Sequence, residues 1–296
     1  MSQTLLVTGA SGQLGRAVLA HLLDTLKVDP ARLVAASRKV ESLRDVAARG
    51  VTVRPADFDD AGSLDRAFAG VARLLLISTD SLEGGKRLAQ HRAAVAAAER
   101  AGVKHVVYTS LPEADVSAVS FAPDHAGTEA ALAASRIQGF TVLRNGWYFE
   151  NVRYGAPSAI QSGRWYTAAG NGALSHIARN DLALAAAHAL AAETNGRSTL
   201  TLTGERAYTI AEIAKQVSDR LAAPIEVVQV SGEDLVKGLV GAGFPESAAR
   251  VFASFDEATR KGHLGGVTRD FEKLTGVRPQ SFESWIAANG ESLRGQ

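Results

Sequence analysis

A glycine-rich turn, Thr8-Gly9-Ala10-Ser11-Gly12-Gln13-Leu14-Gly15, constrains this chain more than any other feature. It follows a short apolar run at residues 5–7. It leads into a segment, residues 12–23, in which Leu14, Val18 and Leu22 recur at helical spacing. Strand, glycine turn and helix in that order are the context in which such a motif holds phosphate. One glycine permits the tight turn, one lets the backbone approach a pyrophosphate, and one lets the helix pack on the strand. The helix start then offers unpaired N–H groups and the positive end of its dipole. Gly9, Ala10, Ser11, Gly12, Gln13, Leu14 and Gly15 are the expected cradle for the pyrophosphate of a dinucleotide.

The first half of the chain repeats the strand–helix alternation. Strands are expected at 32–37, 51–54, 74–78, 103–109 and 140–143, and helices at 63–69, 85–101 and 125–136. Strands apolar throughout, rather than alternating, belong in a sheet buried on both faces. The pattern predicts an α/β fold with a Rossmann-type, doubly wound parallel sheet. Right-handed crossovers then bring the strand C-termini to one ligand-binding edge. Further on, a helix at 181–192 capped by Asn180, an alternating strand at 198–203, a helix at 209–221 and a strand at 225–230 precede short helices. Thr209 and Glu212 stand in capping-box spacing. The expected division is a dinucleotide-binding domain over 1–150, completed by about 175–205, and a smaller α/β substrate domain, mainly 151–296, that roofs the ligand edge.

Composition removes several functional classes. The chain has no cysteine, which excludes disulfides, cysteine nucleophiles and thiolate metal sites. Its seven histidines are scattered, with no two at metal-ligand spacing, so no metal is expected. The net charge is +1, which gives no general attraction to nucleic acid or to anionic membranes. No apolar run reaches the roughly 18 residues of a membrane span. A cytoplasmic protein is the expectation.

The end of the second strand bears on which dinucleotide is bound. An NAD-selective site places a carboxylate there for the ribose 2′-hydroxyl. Here the strand ends Ala36-Ser37-Arg38-Lys39. Arg38 can fork onto a 2′-phosphate and Ser37 can donate to it, so NADPH is the expected cofactor, with NADH weaker. The alternative is a solvated basic loop. Asp57 and Phe58, after the third strand, stand where a carboxylate accepts from the adenine amino group. Ser78 and Thr79, after the fourth, fall on the same edge.

The Thr-Gly-x-x-Gly-x-x-Gly turn resembles that of the extended and atypical short-chain dehydrogenase/reductases. Those enzymes commonly protonate a carbonyl with a Tyr-x-x-x-Lys pair on the helix after the fifth strand. None of Tyr108, Tyr148, Tyr154, Tyr166 and Tyr208 has a lysine four positions later. His125 and Glu129 stand in the slots of that pair. Ser37-Arg38, Leu74-Leu75-Leu76-Ile77-Ser78, Tyr108-Thr109-Ser110-Leu111, His125-x-x-x-Glu129 and Leu143-Arg144-Asn145-Gly146-Trp147-Tyr148 complete the resemblance. The chain is similar to the NmrA-like branch, and within it to type 2 NAD(P)H:quinone oxidoreductases and triphenylmethane reductases. The resemblance implies that the segment Gly146-Trp147-Tyr148 borders the nicotinamide, with Asn145, Gly146 and Trp147 as candidate cofactor-binding residues. It implies either a reductase or one of the branch's non-catalytic NADP(H) sensors.

The missing pair also carries a chemical argument. Hydride transfer to a simple ketone makes a strongly basic alkoxide, which needs an acid in place. Hydride transfer to a quinone makes a phenolate, and a phenol has a pKa of about 10. A quinone or a similar conjugated acceptor is therefore the expected small-molecule partner, reduced by NADPH directly, without flavin. Asn145 is a candidate hydrogen-bond donor to the carboxamide or to the acceptor oxygen. Tyr148 is a candidate donor to the developing oxyanion. Trp147 or Tyr148 can stack on a planar quinone, or the two can pack the interface between the domains. His125 has two readings, a proton donor to the hydroquinone or a buried or capping histidine, with Glu129 as its i+4 partner or as a solvated residue. Ser110 is placed to line the site. A homodimer is one assembly open to such a chain.

Overall fold

In the computed structural model, which describes residues 3–294, β1 (Leu5–Val7) runs into the glycine turn and α1 (Gln13–Ala20). Then come β2 (Leu33–Ser37), α2 (Arg44–Ala47), β3 (Thr52–Pro55), α3 (Ala61–Phe68), β4 (Arg73–Leu76) and α4 (Lys86–Arg100). They are followed by β5 (His105–Ser110), α5 (Ala122–Ala134) and β6 (Gly139–Asn145). The chain goes on through α6 (Ala156–Ser162), β7 (Arg164–Thr167), β8 (Ala173–Leu174), α7 (Arg179–Ala191), β9 (Arg197–Leu202) and β10 (Tyr208–Thr209). It ends with α8 (Ile210–Leu221), β11 (Glu226–Gln229), α9 (Gly232–Gly241), α10 (Glu246–Arg260), α11 (Asp270–Thr275) and α12 (Phe282–Asn289).

Seven strands form one sheet in the order β3-β2-β1-β4-β5-β6-β9. The pairings of β2 with β3, β1 with β2 and β4, β4 with β5, and β5 with β6 are parallel. Phe140 N–H donates to Gly196 O and Gly146 N–H to Leu202 O, so β9 follows β6 in the same direction. This is the doubly wound parallel sheet expected from the alternation. Every residue of β1, β2, β4 and β5 is buried, because helices cover both faces. The edge strands are the exceptions: β3 has exposed ends, and β9 begins with three exposed residues. The winding reverses between β1 and β4, and such a switch point opens a crevice at the strand C-termini.

Arg73 opens β4 with a fully buried guanidinium. It donates to Leu190 O (2.8 Å), Ala189 O (3.1 Å) and Thr194 O (2.7 Å). These carbonyls lie at and just beyond the C-terminus of α7, so a cation sits at the negative end of that helix dipole. α7 itself starts at Arg179, which puts Asn180 inside its first turn rather than at its cap. The helix expected over 12–23 ends as an α-helix at Ala20 and passes into a π-turn over His21–Thr25, where Leu26 N–H reaches back to His21 O. The capping box of Thr209 and Glu212 is present at the start of α8.

The chain divides into two compact units. The first comprises residues 1–111, 124–144 and 182–200, and the second 112–123, 145–181 and 201–296. The first holds most of the parallel sheet. The second contains two small sheets, β11 paired in parallel with β7 and β10 paired antiparallel with β8.

Candidate functional site

The turn after β1 is shaped by backbone geometry. Gly9 is left-handed, at φ 59°. Ala10 N–H donates to Ala36 O and Gly12 N–H to Gly9 O. A Cβ added at Gly15 would stand 2.3 Å from Gly9 O and 2.8 Å from Ala10 Cα. Only glycine lets α1 lie this close to the turn. At the helix start, Gly12 supplies no side-chain cap, and the first turn contains no acidic residue. The N–H groups there keep their capacity for an anion, and no carboxylate offsets the dipole.

The turn is tied to the next strand by Ser11 Oγ, 2.7 Å from Ser37 Oγ, which also accepts from Lys39 N–H at 3.1 Å. Arg38 beside it is exposed and makes no hydrogen bond or ion pair within the described residues. Replacing Arg38 with alanine should weaken NADPH binding about 30-fold, the loss of a charge-assisted contact, and NADH binding less than about threefold. Equal losses in titrations with the two nucleotides would remove the 2′-phosphate role from Arg38.

A cleft of about 430 Å³ runs from the glycine turn past Ser37 and Arg38 to Asp57 and Phe58, and returns along Ser78 and Thr79. It brings together the first-unit residues expected at a cofactor, except Ala10, which is fully buried. Asp57 Oδ1 accepts from Asp59 N–H at 3.0 Å, and Phe58 packs in part on the sheet core. Sequence reasoning missed Asp59, Lys86 and Gln90, which also line the cleft. Gln90 Nε2 donates to Asp59 Oδ1 at 2.9 Å, and Lys86 Nζ lies 3.6 Å from Asp59 Oδ2. The hydrogen bond from Gln90, and then Lys86, hold the Asp59 carboxyl below its ordinary range. Lys86 and Gln90 are an i,i+4 pair just after Gly84-Gly85, a spacing that marks one face at a helix start. Gln90 Oε1 and Thr79 Oγ1 are buried without a hydrogen-bond partner among the described residues. The glycine cradle and these orphaned acceptors fit a bound dinucleotide.

His125 and Glu129, the occupants of the Tyr and Lys slots, are both engaged inside the first unit. His125 is buried, with Nδ1 2.8 Å from Tyr108 Oη and Nε2 3.3 Å from Arg87 Nη1. An arginine only donates, so Nε2 accepts and the ring proton sits on Nδ1, facing Tyr108. Burial first, then the Arg87 charge, push the His125 pKa down to about 3. The imidazole is neutral near pH 7. Glu129 does not pair with His125. Arg144 donates to both its oxygens, at 3.1 and 2.7 Å, and Ser110 Oγ donates at 2.6 Å. The reason is register: Ser110 on β5 and Arg144 on β6 are direct partners, and together they draw the carboxylate onto the sheet.

Asn145 ends β6 and is buried, with Oδ1 lacking a partner among the described residues. Gly146 follows, its N–H on Leu202 O at 2.8 Å, and a Cβ there would meet Ser175 O at 2.7 Å. In the second unit, the Trp147 ring lies 3.8 Å from that of Phe255. Both line a cavity of about 150 Å³ with Phe252, Trp165, Tyr154 and Asp256. Tyr148 lies under the Arg179 guanidinium, 5.3 Å from the ring centre. Burial raises its phenol pKa, against the pull of Arg179 and Asn145. Asp256 Oδ2 accepts from Thr167 Oγ1 and Ala168 N–H, and burial raises its pKa as well. Among the described residues no histidines and carboxylates are grouped to hold a metal, and no helix is long and apolar enough to cross a membrane.

A wound parallel sheet with an uncapped glycine turn at its first strand defines a dinucleotide-binding α/β protein. The chain belongs to the NmrA-like family, whose model matches residues 1–286. It is 38% identical over 270 residues to quinone oxidoreductase 2 of Escherichia coli K12, covering 91% of this chain and 93% of that protein. The crystal structure of an NADPH-dependent quinone oxidoreductase of E. coli complexed with NADPH superposes with a TM-score of 0.89 at 36% identity, covering 96% of this chain and 98% of that one. The Citrobacter triphenylmethane reductase complexed with NADP(H) gives 0.88 at 36% identity, covering 96% and 100%.

Proposed function

We propose that this protein is an NADPH-dependent oxidoreductase that transfers hydride directly to a quinone or a similarly conjugated acceptor, without flavin or metal. The observation that carries the reading is the locked state of the acid slots. His125 is a neutral, buried acceptor for Arg87, and Glu129 is held by Arg144 and Ser110. Neither is placed to protonate an alkoxide, so the acceptor must be one whose reduced form is a weak base. A quinone meets that condition, and its reduction adds one hydride and one proton while oxidising one NADPH to NADP+. The NADPH complex of the quinone oxidoreductase and the NADP(H) complex of the triphenylmethane reductase support the same choice.

Bound NADPH would supply the hydride; the protein's part is to place and to shield. The turn from Gly9 to Gly15 would hold the pyrophosphate, Ser37 and Arg38 the 2′-phosphate, and Asp57 the adenine amino group. Asn145 would hydrogen-bond the carboxamide or the acceptor oxygen. The Tyr148 phenol, kept protonated by burial, would donate to the developing oxyanion. The cavity at Trp147 and Phe255 has room for a single ring, since a cavity of about 150 Å³ takes up benzene. A proton for the hydroquinone would come from Tyr148 or water, with no role for His125.

The same locked slots favour a second reading, a sensor that binds NADP(H) without turnover. The deciding experiment follows NADPH oxidation by purified, flavin-free protein with and without a simple benzoquinone, corrected for the uncatalysed rate. Saturable oxidation, slower with NADH, is the expected result. Tight NADPH binding with no turnover on quinones or cationic dyes would overturn the reductase in favour of the sensor. Light scattering on the same sample would read whether the active species is a homodimer.

A further inference from the structure

The wall of the cleft past β4 is not held by strand pairing. β4 stops at Leu76, and the peptide groups that follow are taken by side chains. Ile77 N–H donates to Thr8 Oγ1 at 2.9 Å, Ser78 N–H to Thr109 Oγ1 at 2.9 Å and Thr79 N–H to His91 Nε2 at 3.0 Å. Arg87 Nη2 closes the series by donating to Ser81 O at 2.9 Å. Residues 77–81 all line the cleft, so these anchors set the position of one side of it. Of these anchors, the Thr8 and Thr109 hydroxyls accept while passing their own hydrogens to Leu75 O and Ser78 Oγ, and Arg87 only donates. The fourth is an imidazole, which is an acceptor or a donor according to its tautomer.

We infer that His91 is a positioning residue for the dinucleotide, holding the Thr79 peptide and with it the cleft wall through a neutral ring whose Nε2 is bare. The inference rests on the dinucleotide reading of the cleft. An N–H donor requires an unprotonated acceptor, so the His91 proton lies on Nδ1. That nitrogen is 2.9 Å from Thr128 Oγ1, which passes its own hydrogen to Asp124 O at 2.7 Å. The relay fixes each member: Asp124 O orients Thr128, Thr128 orients the ring, and the ring presents a lone pair to Thr79. Tyr108 Oη stands 3.3 Å from Nδ1, and Arg87 is the cation nearby. His91 is fully buried, and burial together with Arg87 pushes its pKa down to about 3, which keeps the lone pair available. A phenylalanine would fill the same space with no acceptor, leaving the half-buried Thr79 N–H without its partner and the wall free to shift.

The test is NADPH affinity, read by fluorescence titration, for wild type, His91→Phe and His105→Phe. His105 is an equally buried histidine of the same unit, on β5, bonded to Thr141 and remote in its contacts from residues 77–81. His91→Phe should raise the Kd about tenfold or more, raise the NADPH KM in step and leave kcat at saturating NADPH within about twofold. His105→Phe should lower the melting temperature and leave the Kd unchanged. An unchanged Kd in His91→Phe, or equal losses in both variants, would overturn the inference. Should His91→Phe fail to fold, nitrogen-15 NMR of the wild-type imidazoles decides. A proton on His91 Nδ1 supports the relay, and a proton on Nε2 overturns it. Wild-type protein that binds no NADPH would sink the dinucleotide reading itself, and this inference with it.

Discussion

Alanine at Gly15 should cost the protein about a hundredfold in NADPH affinity, because it displaces backbone donors whose hydrogen bonds to a charged group are worth about 1.5–3 kcal/mol each. The added Cβ would lie 2.3 Å from Gly9 O and 2.8 Å from Ala10 Cα. Both are backbone atoms at the base of the turn, so no side chain can rotate to make room. α1 must withdraw from the turn by on the order of 1 Å, since ordinary Cβ contacts begin near 3.4 Å. That withdrawal moves the uncapped N–H groups away from where they converge, and the gain from preorganised donors is lost. Gly12 offers an internal comparison. Its Cβ would be 3.3 Å from Gly9 O, so Gly12→Ala should be the milder change, at about tenfold. Fluorescence titration of folded variants, with circular dichroism to confirm the fold, checks both. A Gly15→Ala protein that binds NADPH like wild type would show that the turn is not the cradle.

Acidification should destabilise the first unit steeply, beginning near pH 6.5. His91, His105 and His125 are all buried and neutral, with pKa values pushed down to about 3, about 4 and about 3. Burial is the leading cause in each, followed by Arg87 for His91 and His125 and by Arg73 for His105. Unfolded histidine titrates near 6.5. Below that pH the unfolded chain takes up protons that the native ring cannot, so stability is full above about 6.5 and falls as pH drops toward the native values. Each histidine contributes about 1.4 kcal/mol per pH unit over that window, and three together on the order of 4 kcal/mol. Melting temperature measured from pH 7 to pH 5 should fall sharply, before most carboxylates begin to titrate. His125→Gln should flatten the slope by about a third. A melting temperature that stays level to pH 5 would mean that these rings gain protons without unfolding.

The two predictions concern different parts of the molecule, and they differ in how readable they were. The need for glycine at position 15 was legible from residues 8–15 alone, because a glycine spacing is a local backbone requirement. The histidines were not. His91 on α4 and His125 on α5 meet over Tyr108 of β5, whereas His105, three residues before Tyr108 on the same strand, faces the other side of the sheet with Thr141, and only the fold buries all three. Glu129 makes the same point. Its i+4 spacing from His125 suggested a pair, yet Arg144 and Ser110 hold it, since β5 and β6 pair in a register no local pattern specifies.

By itself the sequence determined the wound parallel sheet, the strand and helix order of its first half, the glycine cradle, the arginine at the end of β2 and the absence of a Tyr-x-x-x-Lys acid. Each is written in contiguous residues, as a period, a spacing or a missing side chain. Tertiary structure alone decided that the slots of that acid are filled by locked, neutral or ion-paired groups, and that Asp59, Lys86 and Gln90 join the cleft. It alone decided that β7 pairs with β11 and β8 with β10, since the strand at 225–230 was readable but its partner, and the existence of β7, β8 and β10, depended on residues distant in the chain. The physical reason is the same throughout: backbone demands are local, whereas burial, pairing register and the partner of a charge depend on residues far away in the chain.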